Sequence, residues 1–527
     1  MLKRFGIISI LLLGTCNLPG LTEPSEYALI NLIARLSNSQ EAIPPIRLSL
    51  IYQNTTYNPG ETIDLGMADS FQLINRSFII KNTGTSKFRI SKTERVKVES
   101  NSNGSLELQP QAGQIPDPWE PGVEVAMNAI IIPGGQPEVT WKLTVPIIEP
   151  EATTQTLNFK MLVNVAKPAR LFYSVLNPIG NRGLYSLRWN ETTKILDNNL
   201  NHFSGFTQNI TSANQNKFLY YGDAGILLGY RLNASLAVEN VSSLFVGAGS
   251  INFITNIPNT NRILASGSGN EMRTVSYNAS NGDVASFAGP FGTLCSSGEI
   301  FSSARGDFII QPHAISSVNP GRLRISRVNT DGSLSITTND YTDPITANRL
   351  SKHWKSKSNS FFYSIPHTDV PGVNNFKVNS ILKRELPSAT GLLSDVIAEY
   401  SLGGLGLQFP PFSSTILLHP NDRWIYAIGL NGTNNPAVVL LNHDLNSGEI
   451  SVANNFTKSD SVGPAFGSLS PDGKYLAVRY TKNSSACPTC ERTIFIYELN
   501  ANGVPVEVFN YSANLELGEV HWMSTYN

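Results

Sequence analysis

The chain contains few charged residues, and the two signs balance. Charged side chains make up 15% of the 527 residues, and 39 basic residues face 40 acidic ones, for a net charge of −1. Globular proteins carry roughly a quarter charged residues. A protein that holds nucleic acid through its phosphates needs a strongly positive surface, so this composition argues against a nucleic-acid partner.

Cysteines and catalytic signatures are also scarce. Four cysteines in a chain of this length do not form a disulfide scaffold. The seven histidines are scattered without metal-ligand spacing, and the sequence has no Gly-x-Ser-x-Gly turn and no glycine-rich phosphate loop. The sequence therefore predicts no metal site, no cofactor and no identifiable catalytic residue.

Long apolar runs are absent, and the most apolar stretch lies at the N-terminus. Lys3 and Arg4 precede an apolar stretch that ends at Leu13, which is too short to cross a bilayer and is typical of an export signal. The segment Leu13-Gly14-Thr15-Cys16 resembles the lipobox of bacterial lipoproteins, especially the looser spirochaetal form, although Thr15 departs from the usual Gly, Ala or Ser.

This resemblance implies cleavage before Cys16 and a lipid on Cys16. The protein would then be exported and anchored in the cell envelope, with the outer membrane as the expected location. We expect residues 1–15 to be a signal peptide and residues 16–45 a tether. Ordinary cleavage with an incidental Cys16 remains the alternative.

What the chain does contain is short alternating strands separated by turn residues. In residues 46–167 the clearest piece is "SFIIKNTGTSKFRISK", where apolar and polar residues alternate on both sides of Asn82-Thr83-Gly84-Thr85. This pattern predicts a hairpin, within a two-sheet sandwich of about seven strands. The stretch resembles Ig-like domains of the choice-of-anchor and ASPM–SPD2–Hydin type, which serve as spacers or binding modules.

The rest of the chain repeats one short pattern. The segments "LHPNDRWIYAIG" and "LSPDGKYLAVRY" share a Pro, a polar turn and an apolar strand, and similar apolar triplets recur at spacings of 47, 45, 45, 53, 63 and 51 residues. The triplets begin at Leu171, Phe218, Ile263, Phe308, Phe361, Trp424 and Tyr475. A period of this length in an all-β chain indicates propeller blades.

We therefore predict that residues 168–527 form a seven-bladed β-propeller. Each motif strand is the second of four, and an aromatic residue fills the space between blades. Residues 518–524 have no motif strand after them, so we expect this C-terminal strand to complete the first blade and close the ring, which removes exposed sheet edges.

The two full motifs resemble the lactonase-like, YVTN-type propellers. That resemblance raises two functions. The first is a binding or scaffold lipoprotein that contacts a protein or glycan through its propeller loops, on a membrane to which its lipid anchors it. The alternative is a lactonase-type hydrolase with a site at the mouth of the propeller channel. Fold does not fix function, and the sequence favours binding.

For three local features of the sequence, a structural role is expected before a functional one. Cys487 and Cys490 are expected to form a local disulfide in an exported protein, with a free or redox-active pair as the alternative. His419 is expected to belong to a turn. The segment "KHWKSK" at 352–357 is expected to be a solvated loop, with binding to an anionic surface as its alternative.

Overall fold

A computed structural model describes residues 46–526 with interruptions. The interruptions are residues 91–96, 102–103, 112–114, 178–181, 205–208, 224, 247–250, 268–270, 293–299, 314–321, 342–351, 358–359, 366–379, 403–414, 431–435, 446, 458–460, 483–491 and 514. The regular structure of the described residues is entirely β-strand, as predicted, and these residues include no helix that could cross a membrane. The expected signal peptide and tether lie outside the described residues.

The first ten strands form two sheets around one core. They are β1 (Leu48–Tyr52), β2 (Thr55–Tyr57), β3 (Thr62–Asp69), β4 (Ile74–Asn82), β5 (Arg89–Ile90), β6 (Lys97–Ser100), β7 (Ser105–Pro110), β8 (Glu124–Ile132), β9 (Glu138–Glu149) and β10 (Thr153–Asn164). One sheet has the order β2-β1-β4-β8-β7; the other has the order β3-β10-β9-β5, and β6 also pairs with β9.

Side chains from both sheets fill the space between them. Phe78 from one sheet and Phe159 from the other lie 5.7 Å apart between ring centroids, and both are buried in the same core as Trp141. Burial of such rings is the main source of stability for a sandwich. The two-sheet arrangement agrees with the predicted sandwich, with ten strands instead of about seven. That the sandwich is Ig-like stays a prediction.

The predicted hairpin in this region is wrong. Strand β4 pairs with β1 and β8, whereas β5 pairs with β9 in the other sheet. The buried Asn82 side chain holds the turn: it donates to Ser86 O at 2.9 Å and Trp119 O at 3.0 Å, and accepts from Gly84 N at 3.0 Å. The turn therefore carries the chain from one sheet to the other. The prediction failed because an alternating pattern fixes which face of a strand is buried and not which strand pairs with it.

The remaining strands form seven four-stranded sheets, which we call blades 1 to 7. Blade 1 contains β11 (Ala166–Asn177), β12 (Gly183–Asn190), β13 (Ile195–Ser204) and the C-terminal strand β38 (Glu516–Tyr526). Blade 2 contains β14 (Asn209–Ala213), β15 (Phe218–Asp223), β16 (Ile226–Leu232) and β17 (Val238–Phe245); blade 3 contains β18 (Ile251–Ile257), β19 (Arg262–Gly267), β20 (Glu271–Tyr277) and β21 (Val284–Gly292); blade 4 contains β22 (Phe301–Ser302), β23 (Phe308–His313), β24 (Arg322–Val328) and β25 (Leu334–Tyr341). Blade 5 contains β26 (Lys352–Lys355), β27 (Phe361–Ile365), β28 (Ser380–Glu385) and β29 (Ala398–Ser401); blade 6 contains β30 (Thr415–Leu418), β31 (Trp424–Leu430), β32 (Pro436–His443) and β33 (Ile450–Thr457); blade 7 contains β34 (Ser461–Leu469), β35 (Tyr475–Lys482), β36 (Arg492–Leu499) and β37 (Pro505–Ala513).

In blades 2 to 7 the four strands pair in chain order, and each repeated triplet lies in the second strand, as predicted. Blade 1 has the order β13-β12-β11-β38, so the C-terminal strand β38 pairs with β11 as predicted. Blades 1 and 7 also share a hydrophobic core, in which Trp189 contacts Tyr475 at 5.1 Å between ring centroids.

The repeated triplet packs one blade against the next. The Tyr220, Tyr363 and Tyr426 hydroxyls each donate to a glycine carbonyl in the turn between the third and fourth strands of the following blade. The acceptors are Gly282, Gly448 and Gly503, at 2.7, 2.8 and 2.7 Å. These glycines have positive φ, and a Cβ on Gly503 would lie 2.5 Å from the Trp424 ring. Only glycine fits both the backbone and the close contact.

One sequence expectation fails in blade 5. Residues 352–355 of the "KHWKSK" segment form the buried first strand β26 and are not a solvated loop. Trp354 stacks on Tyr363 with ring centroids 5.2 Å apart, and the Lys355 ammonium bonds to the Asp307 carboxylate at 3.1 Å. Basic residues can therefore occupy an inner strand because the neighbouring blade supplies the partner charge.

Candidate functional site

The sandwich is docked on one face of the propeller blades. Strand β10 ends at Asn164 and β11 begins at Ala166, so a single residue separates the two parts. Turns between the first and second strands of several blades then contact the sandwich. These contacts are Lys217 Nζ to Asp69 Oδ2 (2.7 Å), Leu73 N to Asn259 Oδ1 (3.4 Å), Arg305 Nη2 to Glu107 Oε2 (3.5 Å) and Lys357 Nζ to Phe71 O (2.8 Å).

Two turns of the sandwich, at Phe71 and Gly135, form part of this contact surface. Phe71 is buried and has a positive φ of 58°, and its N–H donates to Pro133 O at 2.8 Å. Gly135 packs so closely that a Cβ there would lie 3.2 Å from the Phe71 ring and 3.3 Å from the Asp472 carbonyl oxygen of blade 7. The sandwich thus contacts blades 2, 3, 4, 5 and 7 through turns of the same kind.

A cleft of about 260 Å³ lies at this junction. The sandwich contributes Phe71, Gln72 and Leu73 to its wall, and the remaining lining residues come from turns and strands of blades 2 to 5. They are Asn214, Gln215, Asn216, Asn256, Pro258, Asn259, Thr260, Asn261, Tyr277, Ala304 and Lys357. Small-molecule sites often lie at domain junctions of this kind.

Carboxamide side chains dominate the lining. Seven of the fourteen lining residues are Asn or Gln, and no Asp or Glu is among them. Each carboxamide offers two N–H donors and one carbonyl acceptor, so the wall suits a ligand that both donates and accepts, such as a hydroxyl group. The backbone supports this use, because Asn214, Gln215 and Asn216 all have positive φ, of 47°, 54° and 65°, which turns their side chains out of the regular strand pattern.

One lining amide has an unused acceptor. Asn256 Oδ1 is buried and has no hydrogen-bond partner among the described residues, although the Asn256 backbone N–H donates to Thr211 Oγ1 at 3.0 Å and its carbonyl accepts from Ser302 Oγ at 2.8 Å. A buried polar atom without a partner costs free energy, so such an atom in a cleft wall calls for a water or a ligand donor.

Among the fourteen described residues that line the cleft, Lys357 alone carries a charge. Its ammonium donates to Phe71 O, and burial lowers its pKa to about 8, which the nearby Asp422 carboxylate partly opposes. Among the described residues its Nζ has no ion-pair partner. The site therefore combines a partly desolvated cation with a neutral amide wall and the Phe71 and Tyr277 rings.

The residues singled out from sequence lie elsewhere. Cys16, Cys487 and Cys490 fall outside the described residues, so lipidation and the disulfide stay predictions. His419 is buried in a turn as expected, where its Nε2 donates to Gly473 O at 2.9 Å and its Nδ1 accepts from Asn421 N at 3.2 Å. No group of three or more His, Cys, Asp or Glu that could hold a metal occurs within the described part of the chain.

Sequence reasoning missed the cleft, although a signal for it exists. "ANQNK" at 213–217 and "NIPNTNR" at 256–262 occupy equivalent turns, between the first and second strands of neighbouring blades, and both are rich in Asn. Asn is common in turns for local reasons. These turns become one wall of a cleft because the sandwich docks against them. No local sequence pattern predicts that docking.

Comparison with known proteins finds structures and no sequence relatives. No protein-family model matches the chain, and no curated protein matches it in sequence. Among solved structures, a protein provisionally named 6-phosphogluconolactonase from Bacteroides uniformis is 13% identical, over 68% of this chain and 99% of its own, with a TM-score of 0.47. The periplasmic gluconolactonase of Pseudomonas aeruginosa is 11% identical, over 68% and 99%, with a TM-score of 0.49.

A third neighbour carries a different name. A hypothetical selenium-binding protein from Sulfolobus tokodaii is 10% identical, over 68% of this chain and 94% of its own, with a TM-score of 0.46. The structural neighbours are thus lactonase-like propellers and a protein named for another activity. At these identities the likeness says nothing about which ligand or reaction, if any, belongs to this chain.

Proposed function

We propose that the chain is an exported, lipid-anchored binding protein of the cell envelope whose ligand occupies the cleft between the sandwich and the propeller. The proposed architecture is an Ig-like sandwich on a seven-bladed ring that β38 closes. The observation that carries the proposal is the docked sandwich, which brings amides from blades 2 and 3, Lys357 from blade 5 and Phe71 into one cleft.

Physical properties of the cleft support binding. Its parts are held by a one-residue connection and by contacts to several blades, so little conformational entropy remains to be lost when a ligand binds. Its wall offers many neutral donors and acceptors, which fits a hydroxyl-rich ligand such as a sugar or a polyol acid. The scaffold role in the envelope and the lipid on Cys16 are part of the proposal and rest on the sequence alone.

A panel of small ligands tests the binding role. The purified full chain is heated with neutral polyols and with their hydroxy-acid counterparts, and its melting temperature is recorded. A ligand that binds only the folded state stabilises it by RT ln(1 + [L]/Kd), about 2.7 kcal/mol at a hundredfold excess over Kd. We expect at least one class to raise the melting temperature. If neither class does so at millimolar concentration, the proposal fails.

The second candidate is a lactone hydrolase. Of the three neighbours described above, one is provisionally named a 6-phosphogluconolactonase and one is named a gluconolactonase. Since TM-scores below 0.5 do not argue for a shared activity, the likeness only indicates which reaction to assay. Hydrolysis of gluconolactone by the purified full chain, measured by acid release against the spontaneous rate, tests it. A rate equal to the spontaneous rate excludes this substrate.

A further inference from the structure

We propose that the ligand of the cleft carries an oxyanion, a carboxylate or a phosphate, that pairs with the Lys357 ammonium while its hydroxyl groups bond to the amide wall. The inference rests on the binding function proposed above and narrows its ligand class. It rests on the Lys357 ammonium, the one charge among the described lining residues, and on the groups that surround this ammonium.

The Lys357 ammonium is incompletely satisfied. One N–H donates to Phe71 O at 2.8 Å, and the ammonium has two further N–H groups. No carboxylate within the described ranges forms an ion pair with it. A half-buried cation without a partner is uncommon, because taking a charge out of water is costly unless an opposite charge or hydrogen bonds replace the water.

The neighbouring charged groups compensate the Lys357 charge only in part. The nearby Asp422 carboxylate raises its pKa, but Asp422 Oδ2 already accepts from Ser356 Oγ at 2.7 Å and from the Lys357 backbone N–H at 3.0 Å. The Arg305 guanidinium bonds to the Lys357 carbonyl oxygen and adds positive charge.

Two further titratable groups near Lys357 also leave its charge unpaired. His419 has a pKa lowered to about 4, chiefly by burial, so its ring is neutral at pH 7. On the sandwich side, Asp69 forms its ion pair with Lys217 and not with Lys357.

An oxyanion in the cleft resolves this imbalance. It would accept the remaining N–H groups of Lys357 in a charge-assisted bond, which is about twice as strong as a neutral one. The amide N–H groups can add donors, and Asn256 Oδ1 can accept from a ligand hydroxyl. A purely anionic ligand would leave that acceptor unused, so the favoured ligand carries both an oxyanion and hydroxyl groups.

Matched pairs of small molecules test the proposal by calorimetric titration of the full chain. L-tartrate is compared with L-threitol, which has the same carbon chain with CH₂OH in place of each carboxylate. Glycerol 3-phosphate is compared with glycerol. The affinities of tartrate and glycerol 3-phosphate then show whether the site takes a carboxylate or a phosphate. We expect one anion of the two to bind at least tenfold tighter than its neutral counterpart at pH 7. If both neutral molecules bind as well as their anions, the oxyanion proposal is wrong while the binding function stands.

Variants at Lys357 show whether the anion pairs with this residue. Lys357→Met should reduce the anion's affinity to that of the neutral counterpart. Because this variant also loses the bond to Phe71 O, Lys357→Arg is the second variant, since it keeps a charge and an N–H donor. We expect Lys357→Arg to retain anion binding within a few fold.

The pH dependence of anion binding should differ between the wild type and Lys357→Arg. The anion stabilises the charged form of Lys357, so its affinity should fall once pH exceeds the free pKa of about 8. We expect a fall of about tenfold between pH 7 and pH 9 in the wild type and none in Lys357→Arg, because Arg stays charged. A wild-type affinity that does not change between pH 7 and pH 9 would overturn the assignment to Lys357.

Discussion

The Lys357 ammonium donates a hydrogen bond of 2.8 Å to the carbonyl oxygen of Phe71, and this bond joins blade 5 to the sandwich inside the cleft. Phe71 has a positive φ, and its N–H is bound to Pro133 O within the sandwich. The same lysine therefore connects the two parts and supplies the only charge among the described residues of the proposed binding site. The proposed ligand contact and the observed docking contact therefore use the same side chain.

Replacement of Gly503 in the propeller by Ala should destabilise the protein more than the same change at Gly60 in the sandwich. Both glycines have positive φ, of 74° and 87°, so the backbone strain of an L-residue is similar, about 1 kcal/mol. A Cβ at Gly503 would also lie 2.5 Å from the Trp424 ring of blade 6, whereas Gly60 has open space around it.

We expect chemical denaturation to show a loss of about 1 kcal/mol for Gly60→Ala and a further loss of about 1–3 kcal/mol for Gly503→Ala, the usual range for overpacking. Equal losses would mean that the contact between blades 6 and 7 yields easily, and that the repeated glycine serves only the turn.

Stability should fall as pH is lowered from about 6.5, in part because of His353. Burial, with the nearby Lys352 and Arg384 charges, lowers the pKa of His353 to about 3. The unfolded chain binds a proton there below its ordinary pKa of about 6.5, whereas the folded chain does not, so stability is lost as pH falls towards 3.

Each such proton contributes a slope of about 1.4 kcal/mol per pH unit in this window. Urea denaturation of His353→Gln between pH 4 and 6 should show a slope smaller by about one proton, whatever its stability at pH 7. A slope identical to that of the wild type would show that His353 is protonated in the folded protein.

Membrane attachment should depend on Cys16. The full chain, expressed in a bacterium that processes lipoproteins, is partitioned in Triton X-114 beside the Cys16→Ala variant. Two or three acyl chains hold a protein on a membrane stably, so the wild type is expected in the detergent phase and the variant in the aqueous phase. Detergent partition of Cys16→Ala would refute the lipobox interpretation.

The repeat pattern predicted the propeller well because its cause is local and recurs. Every copy places an apolar strand second in its blade, and in blades 2, 5 and 6 the copy also places a tyrosine against a turn glycine of the next blade, as with Tyr426 and Gly503. The hairpin around Asn82 could not be predicted correctly, because the partner of β4 depends on contacts with Trp119, far along the chain. The cleft was missed for the same reason: Phe71 and Lys357 are 286 residues apart in the chain and meet only after docking.

The most direct test of the proposed binding site fills the cleft without touching Lys357. Asn261 is exposed, lines the cleft and has ordinary backbone geometry, so Asn261→Trp should be tolerated by the fold. With the anion that the wild type binds, whether L-tartrate or glycerol 3-phosphate, calorimetric titration of this variant should show affinity reduced at least tenfold and an unchanged melting temperature. Binding of that anion by Asn261→Trp with wild-type affinity would place the ligand outside the cleft and contradict the account.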